Sequence, residues 1–114
     1  MSIKIKRIYD RPEPEDGFRV LVDRLWPRGI RKDEARLDLW LKEVAPSTAL
    51  RREFGHHPAR WAEFRRRYRT ELEQQPQAIA LLRDKASRGP VTLLYAARDA
   101  EHNNAAALKS ILTS

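Results

Sequence analysis

The run Val91–Tyr95, VTLLY, followed without a break by a polar turn and a helix-like stretch to Leu108, most limits what this chain can fold into. A short apolar run of β-formers, bounded by Gly89-Pro90 and Arg98-Asp99, predicts an interior strand of a parallel sheet. Parallel strands need long crossover connections, and Ser47–Arg88, which reads as three helices, is long enough to be one. Open sheets of this kind bind ligands outside the carboxyl ends of their strands. At that end the chain gathers Arg98, Asp99, Glu101, His102, Asn103 and Asn104 within seven residues.

The remaining segments fit around that strand. Ile3–Tyr9 alternates apolar and charged residues, which predicts a strand with one wet face. The proline- and acid-rich stretch 10–17 reads as a loop, and Phe18–Leu25 as a second, more interior strand. Pro27 and Gly29 exclude regular structure after Trp26. Arg36–Val44 reads as a third strand by alternation, although Leu37, Trp40, Leu41 and Val44 also fit a helical face. Ser47 is a good N-cap for a helix that Gly55 stops, and Pro58 opens the next helix, with Trp61, Phe64, Tyr68 and Leu72 as its apolar stripe. A helix from Pro76 to about Ser87 buries Ile79, Leu82 and Ala86. A last one, starting near Asp99, buries Ala105, Leu108, Ile111 and Leu112. The expectation is a single layered α/β domain over residues 1–114, a mixed, mostly parallel sheet of about four strands flanked by four helices.

Charge and composition narrow the functions. The chain has no cysteine, which excludes disulfides, thiol nucleophiles and thiolate metal sites. No apolar run is long enough to span a bilayer, and the opening Met1–Lys6 alternates unlike a secretory leader, so a cytoplasmic address and no membrane partner are expected. The net charge of +7 points to anionic partners, phosphate-bearing small molecules or nucleic acid. Much of the excess lies in residues 47–72, with 7 basic and 3 acidic groups. Wound at about 100° per residue, Arg60, Arg65, Arg66, Arg67 and Arg69 ring their helix, whereas a recognition helix presents one basic face.

Through Val20–Gly29 (VLVDRLWPRG), Ala45-Pro46-Ser47, Phe54-Gly55-His56, Leu93–Asp99 (LLYAARD) and Glu101-His102-Asn103, the chain resembles the YeaO-like branch of the domain-of-unknown-function 488 family. The likeness spans nearly the whole chain. It implies an α/β domain and assigns no activity. Other branches carry Cys-x-Glu at the end of this strand and Cys-His-Arg at the start of the following helix. Here Tyr95, Ala97, Asn103, Asn104 and Ala105 hold the matching positions, so thiol or metal chemistry of those branches does not carry over.

Two clusters are candidate sites. Arg98–Asn104 joins a helix start to Arg98, Asn103 and the His102 ring, which suits an anion; alternatively Asp99 is simply the N-cap and Glu101 complements the helix dipole. Asp23, Arg24, Trp26, Arg28 and Arg31 leave the second strand at the same sheet edge, where guanidinium groups can hold phosphate bidentately and an indole can stack. The structural alternative is an ion pair of Asp23 with Arg98 or Arg24, with Trp26-Pro27 as core packing. His56-His57 and His102 lack metal-ligand spacing, and neither a metal nor a cofactor is expected. Ser47 needs no role beyond capping.

The leading expectation is therefore a cleft for a phosphate-bearing or other anionic small molecule, nucleotides included, with Arg24, Arg28 and Arg98 holding the anion. In an enzyme, His102 or Asp99 would be the acid or base. The rival is a nucleic-acid binder that uses the basic surface without catalysis. His102 and Arg24 should share one cleft, and Asp23 and Asn104 should be the least exposed polar residues, Asp23 bonded to Arg98, Arg24 or amides near Asp99.

Overall fold

The computed structural model describes residues 2–114; Met1, the first residue of the segment read against a leader, lies outside them. Four strands form one sheet: β1 (Ile3–Arg7), β2 (Phe18–Leu21), β3 (Leu39–Trp40) and β4 (Val91–Tyr95), in the order β1-β4-β2-β3. Every pairing is parallel, so the sheet is uniform where a mixed one was allowed for. The predicted interior strand is the central one. β4 is buried at all five positions, and Val91 faces Ile3 on one side and Phe18 on the other.

Pleating sorts the core into two layers. Ile3, Val20, Val91, Leu93 and Tyr95 point to a face covered by α2 (Thr48–Phe54), α3 (Trp61–Leu72), α4 (Pro76–Arg88) and α5 (Asn104–Leu112), through Leu50, Phe54, Phe64, Tyr68, Leu82 and Leu108. Leu21 and Leu94 point to the other face, which has no long helix. There loop residues Ile8, Trp26, Ile30 and Leu37, with Trp40 of β3 and Ala35 of the one-turn helix α1 (Lys32–Ala35), make a smaller cluster. Trp26 meets Trp40 edge-on at 5.2 Å, so the packing role allowed for Trp26 is real.

Local sequence signals explain most boundaries. Ser47 Oγ accepts the Leu50 amide at 3.1 Å to start α2, and Gly55 ends it at φ 53°. Gly17, at φ 64°, is pressed against Pro90, where an added Cβ would lie 2.3 Å from the carbonyl oxygen. That contact brings the acidic loop onto the start of β4, and the Phe18 amide seals it by donating to Pro90 O at 2.9 Å.

Several expected elements are shorter, the first strand among them, which ends at Arg7 and not Tyr9. The second strand stops at Leu21, not Leu25, because after the Val22 amide bonds to Leu94 O the chain turns away. Arg36–Val44 keeps only Leu39–Trp40 as strand, since Arg36 is left-handed at φ 51° and Lys42–Val44 tightens into a 3₁₀ turn. The last helix starts at Asn104 rather than near Asp99. Asn103 is its N-cap, with Oδ1 accepting the Ala106 amide at 2.8 Å, while Asp99 caps the separate turn before it.

Candidate functional site

A cleft of about 620 Å³ opens at the carboxyl ends of β2 and β4. The backbone leaving β2 supplies Asp23 through Arg28, the turn after β4 supplies Ala96 and Ala97, and α5 contributes Asn104 with its cap Asn103. α2 forms the facing wall with Thr48, Arg51, Arg52 and Phe54. His102 and Arg24 both line this one cleft, as do Trp26 and Arg28. Arg31 and Arg98 do not. Arg31 is exposed beside Asp33 and Glu34 of its own helix turn, and Arg98 is exposed on the turn after β4.

Four arginines, Arg24, Arg28, Arg51 and Arg52, line the cleft. None of them makes an ion pair among the described residues. Arg24 is half-buried and anchored through Nε to Pro46 O and Nη2 to Ala45 O, each at 3.3 Å, which spends two of its five donors. Arg28 rides on a loop closed by Trp26 Nε1 donating to Ile30 O at 2.7 Å, and its carbonyl accepts the Tyr9 hydroxyl at 3.0 Å. Arg51 and Arg52 were not among the expected residues. Once Leu50 and Phe54 are taken as the inward face of α2, the intervening arginines must lie on another side, and that pattern was the available signal. The orientation of α2 is fixed from outside: Glu71 of α3 accepts both the Ser47 amide, at 2.8 Å, and the Ser47 hydroxyl.

Among the described residues Asp23 is the sole carboxylate lining the cleft. Its Oδ2 accepts the Ala96 amide and its Oδ1 accepts Asn104 Nδ2, both at 3.0 Å. It is half-buried, with no cation in contact, so the ion pairs with Arg98 or Arg24 are not formed. Burial pushes its carboxyl above the usual range, against the two hydrogen bonds and the more distant Arg51 charge. Asn104 also donates to Val22 O at 3.0 Å and is half-buried. The most buried polar side chains are instead Asp16, Arg19, Thr92 and Asn103. Glu101 is exposed.

Asp99 and His102 form a pair. Asp99 Oδ2 meets His102 Nδ1 at 2.9 Å, while Oδ1 accepts the amides of Glu101 and His102 at 2.9 and 3.0 Å. Those amides, with the imidazole bond, hold the Asp99 carboxyl below its usual range. An ionised carboxylate only accepts, so Nδ1 carries the proton and Nε2 is the nitrogen without a protein partner. The ring stands edge-on to Trp61 at 5.3 Å. Asn103 donates from Nδ2 to Asp99 O at 2.9 Å and caps α5 through Oδ1, which joins this turn to the helix. Among the described residues no group of three or more His, Asp and Glu side chains is placed to hold a metal ion.

Residues 2–114 match the family described as "Inactive DUF488-N3 subclade". The chain belongs to that family. It is 47% identical over 114 residues to "Uncharacterized protein YeaO" of Escherichia coli K12, covering 100% of this chain and 99% of that one. It is 44% identical over 110 residues to "Uncharacterized protein Mb3100c" of Mycobacterium bovis, covering 96% and 92%. No solved structure matches it. The YeaO-like likeness read from its motifs is therefore that of the whole chain. No helix of this DUF488 domain is long and apolar enough to cross a membrane, among the described residues.

Proposed function

We propose that this DUF488 domain binds a phosphate-bearing small molecule in the cleft at the carboxyl ends of β2 and β4. One observation carries the reading: among the described residues four arginines line the cleft, and no ion pair occupies any of them. Guanidinium groups held near one another without counter-charges repel, and an anion relieves that repulsion while taking charge-assisted, bidentate hydrogen bonds. A cytoplasmic setting and a nucleotide as one such phosphate ester accord with the proposal. The nucleic-acid reading has less support, because Arg66 and Arg67 of α3 pair with Glu63 and Glu53, and Arg65 reaches Ser110.

Thermal denaturation at constant ionic strength, with inorganic phosphate, pyrophosphate, sugar phosphates and nucleotides, tests it. A binding anion raises the melting temperature in step with the logarithm of its concentration, by about 2.7 kcal/mol of stability at 100 times Kd. A melting temperature that none of these anions moves at millimolar concentration refutes the reading.

An acid–base role for His102 is a second reading, and it rests on the Asp99 contact that fixes Nδ1 and leaves Nε2 without a protein partner. It predicts turnover of a bound phosphate ester that His102→Ala abolishes while binding persists. A protein that binds the ester and never turns it over keeps only the binding role. The description of the subclade as inactive sits with that simpler outcome.

A further inference from the structure

We infer that the ligand of this cleft is a hydroxylated phosphate ester, a sugar phosphate in chemical class, which donates a hydroxyl to Asp23. The inference rests on the anion-binding reading and deepens it.

A site for a bare anion has no use for a carboxylate, yet Asp23 lines this one. Its two oxygens offer about four lone-pair positions, and only two are filled, by Ala96 N and Asn104 Nδ2. No Lys, Arg or His lies within ion-pair distance to claim the rest among the described residues. The nearby groups do not fill them either. The Tyr68 hydroxyl is spent on Val44 O, and Asn104 already divides its amide between Asp23 and Val22 O. A half-buried acceptor with spare capacity calls for a donor from the ligand.

The surroundings restrict that donor. An ammonium group would satisfy Asp23, but Arg24, Arg28, Arg51 and Arg52 repel a cation. A neutral hydroxyl meets the carboxylate without that cost. The cleft, about 620 Å³, falls within the roughly 300–1,000 Å³ of small-molecule sites, and Phe54, Phe64 and Pro46 offer apolar wall to the carbons between hydroxyl and phosphate. One ligand would thus use both chemistries of the cleft: phosphate on the arginines, hydroxyl on Asp23.

Titration calorimetry on the wild-type protein decides the matter with inorganic phosphate, ribose 5-phosphate, adenosine 5′-monophosphate and n-pentyl phosphate, an ester of similar length without hydroxyls. Ribose 5-phosphate should bind about tenfold or more tightly than n-pentyl phosphate, the margin set by one hydrogen bond to a charged acceptor. The nucleotide arm separates a free sugar phosphate from a nucleoside phosphate as the source of that chemistry. Asp23→Ala should close the gap by weakening ribose 5-phosphate and not n-pentyl phosphate. Equal affinity of the two esters for the wild-type protein overturns the inference and leaves the anion reading standing, whether or not the variant folds. If no phosphate compound binds, both readings fall together.

Discussion

Asp16 and Asp23 bracket the same short strand, one two residues before Phe18 and the other two residues after Leu21, yet their surroundings are opposite. Asp16 is wholly buried and bonded to Arg19 Nη1, to Lys6 at 3.2 Å, to Lys4 at 3.3 Å and to the Glu13 amide at 3.1 Å. Its carbonyl takes the Thr92 hydroxyl at 2.7 Å. Burial by itself would raise its pKa; the hydrogen bonds from Glu13, Lys6, Lys4 and Arg19 outweigh burial and bring it down to about 2. Asp23 has two hydrogen bonds and no cation, and its pKa moves up. A carboxylate whose charge is fully answered by its own chain is structure. One left half-answered lines a cleft beside arginines that make no ion pair, and there the proposed ligand would bind.

The largest effect is expected at Asp16. Asp16→Ala strands Arg19, which is 5% exposed, together with Lys6, and removing one partner of a buried pair costs about 3–5 kcal/mol. Urea denaturation should show a loss of that size. A change under about 1 kcal/mol would mean that the network is as slack as a surface ion pair.

Acid separates the two carboxylates next. Asp16 has a folded pKa of about 2 against 3.8 for the free group, so its contribution, on the order of 2 kcal/mol, is present above about pH 4 and lost as pH falls toward 2. Asp23 runs the other way: with a raised folded pKa, its protonation favours the folded state, and its ionised form subtracts stability above that pKa. Stability between pH 4 and pH 2 should therefore fall less steeply in Asp16→Asn than in wild type. Parallel curves would assign the acid sensitivity elsewhere.

Asp23→Ala comes third, at about 1–2 kcal/mol, because it leaves an amide and one side-chain donor unmatched but strands no buried cation. A loss as large as that of Asp16→Ala, measured by the same denaturation, would make Asp23 a structural hub and erase the distinction.

What was legible in the chain follows the same division. The apolar run 91–95, the Ser47 cap and Gly55 were readable because each acts locally, through side-chain periodicity or one backbone position. The carboxyl-end location of the cleft was readable too, since parallel strands leave their loops there. Asp16 was not. In a stretch of prolines and carboxylates it looks solvated, and the residues that bury it, Lys4, Lys6, Arg19 and Thr92, come from three strands whose register no local pattern supplies. Asn103 and Asp99 were confused for a related reason. Both are good caps only four residues apart, and only the tertiary path of 99–103 makes Asp99 the cap of a turn and Asn103 the start of the helix. Arg51 and Arg52 escaped because a helix read only for its apolar face says nothing about what the other sides meet.

The smallest effect on stability, and the one that bears most on function, belongs to Arg51→Ala combined with Arg52→Ala. Both side chains are exposed and neither makes a hydrogen bond or ion pair among the described residues, so the folded state should change by no more than about 0.5 kcal/mol. The capping of α2 by Ser47 and its bond to Glu71 are untouched. Binding should respond in the opposite proportion. Each guanidinium lost from a phosphate contact removes a charge-assisted hydrogen bond, so inorganic phosphate should bind roughly tenfold or more weakly to the double variant at low salt. The gap should narrow as added salt screens the exposed charges in the wild type. Taken with Asp16→Ala, which should unfold readily and tell nothing of the cleft, the pair of measurements assigns stability to one end of β2 and recognition to the other. Unchanged phosphate affinity in the double variant at low salt would place the anion outside the wall formed by α2.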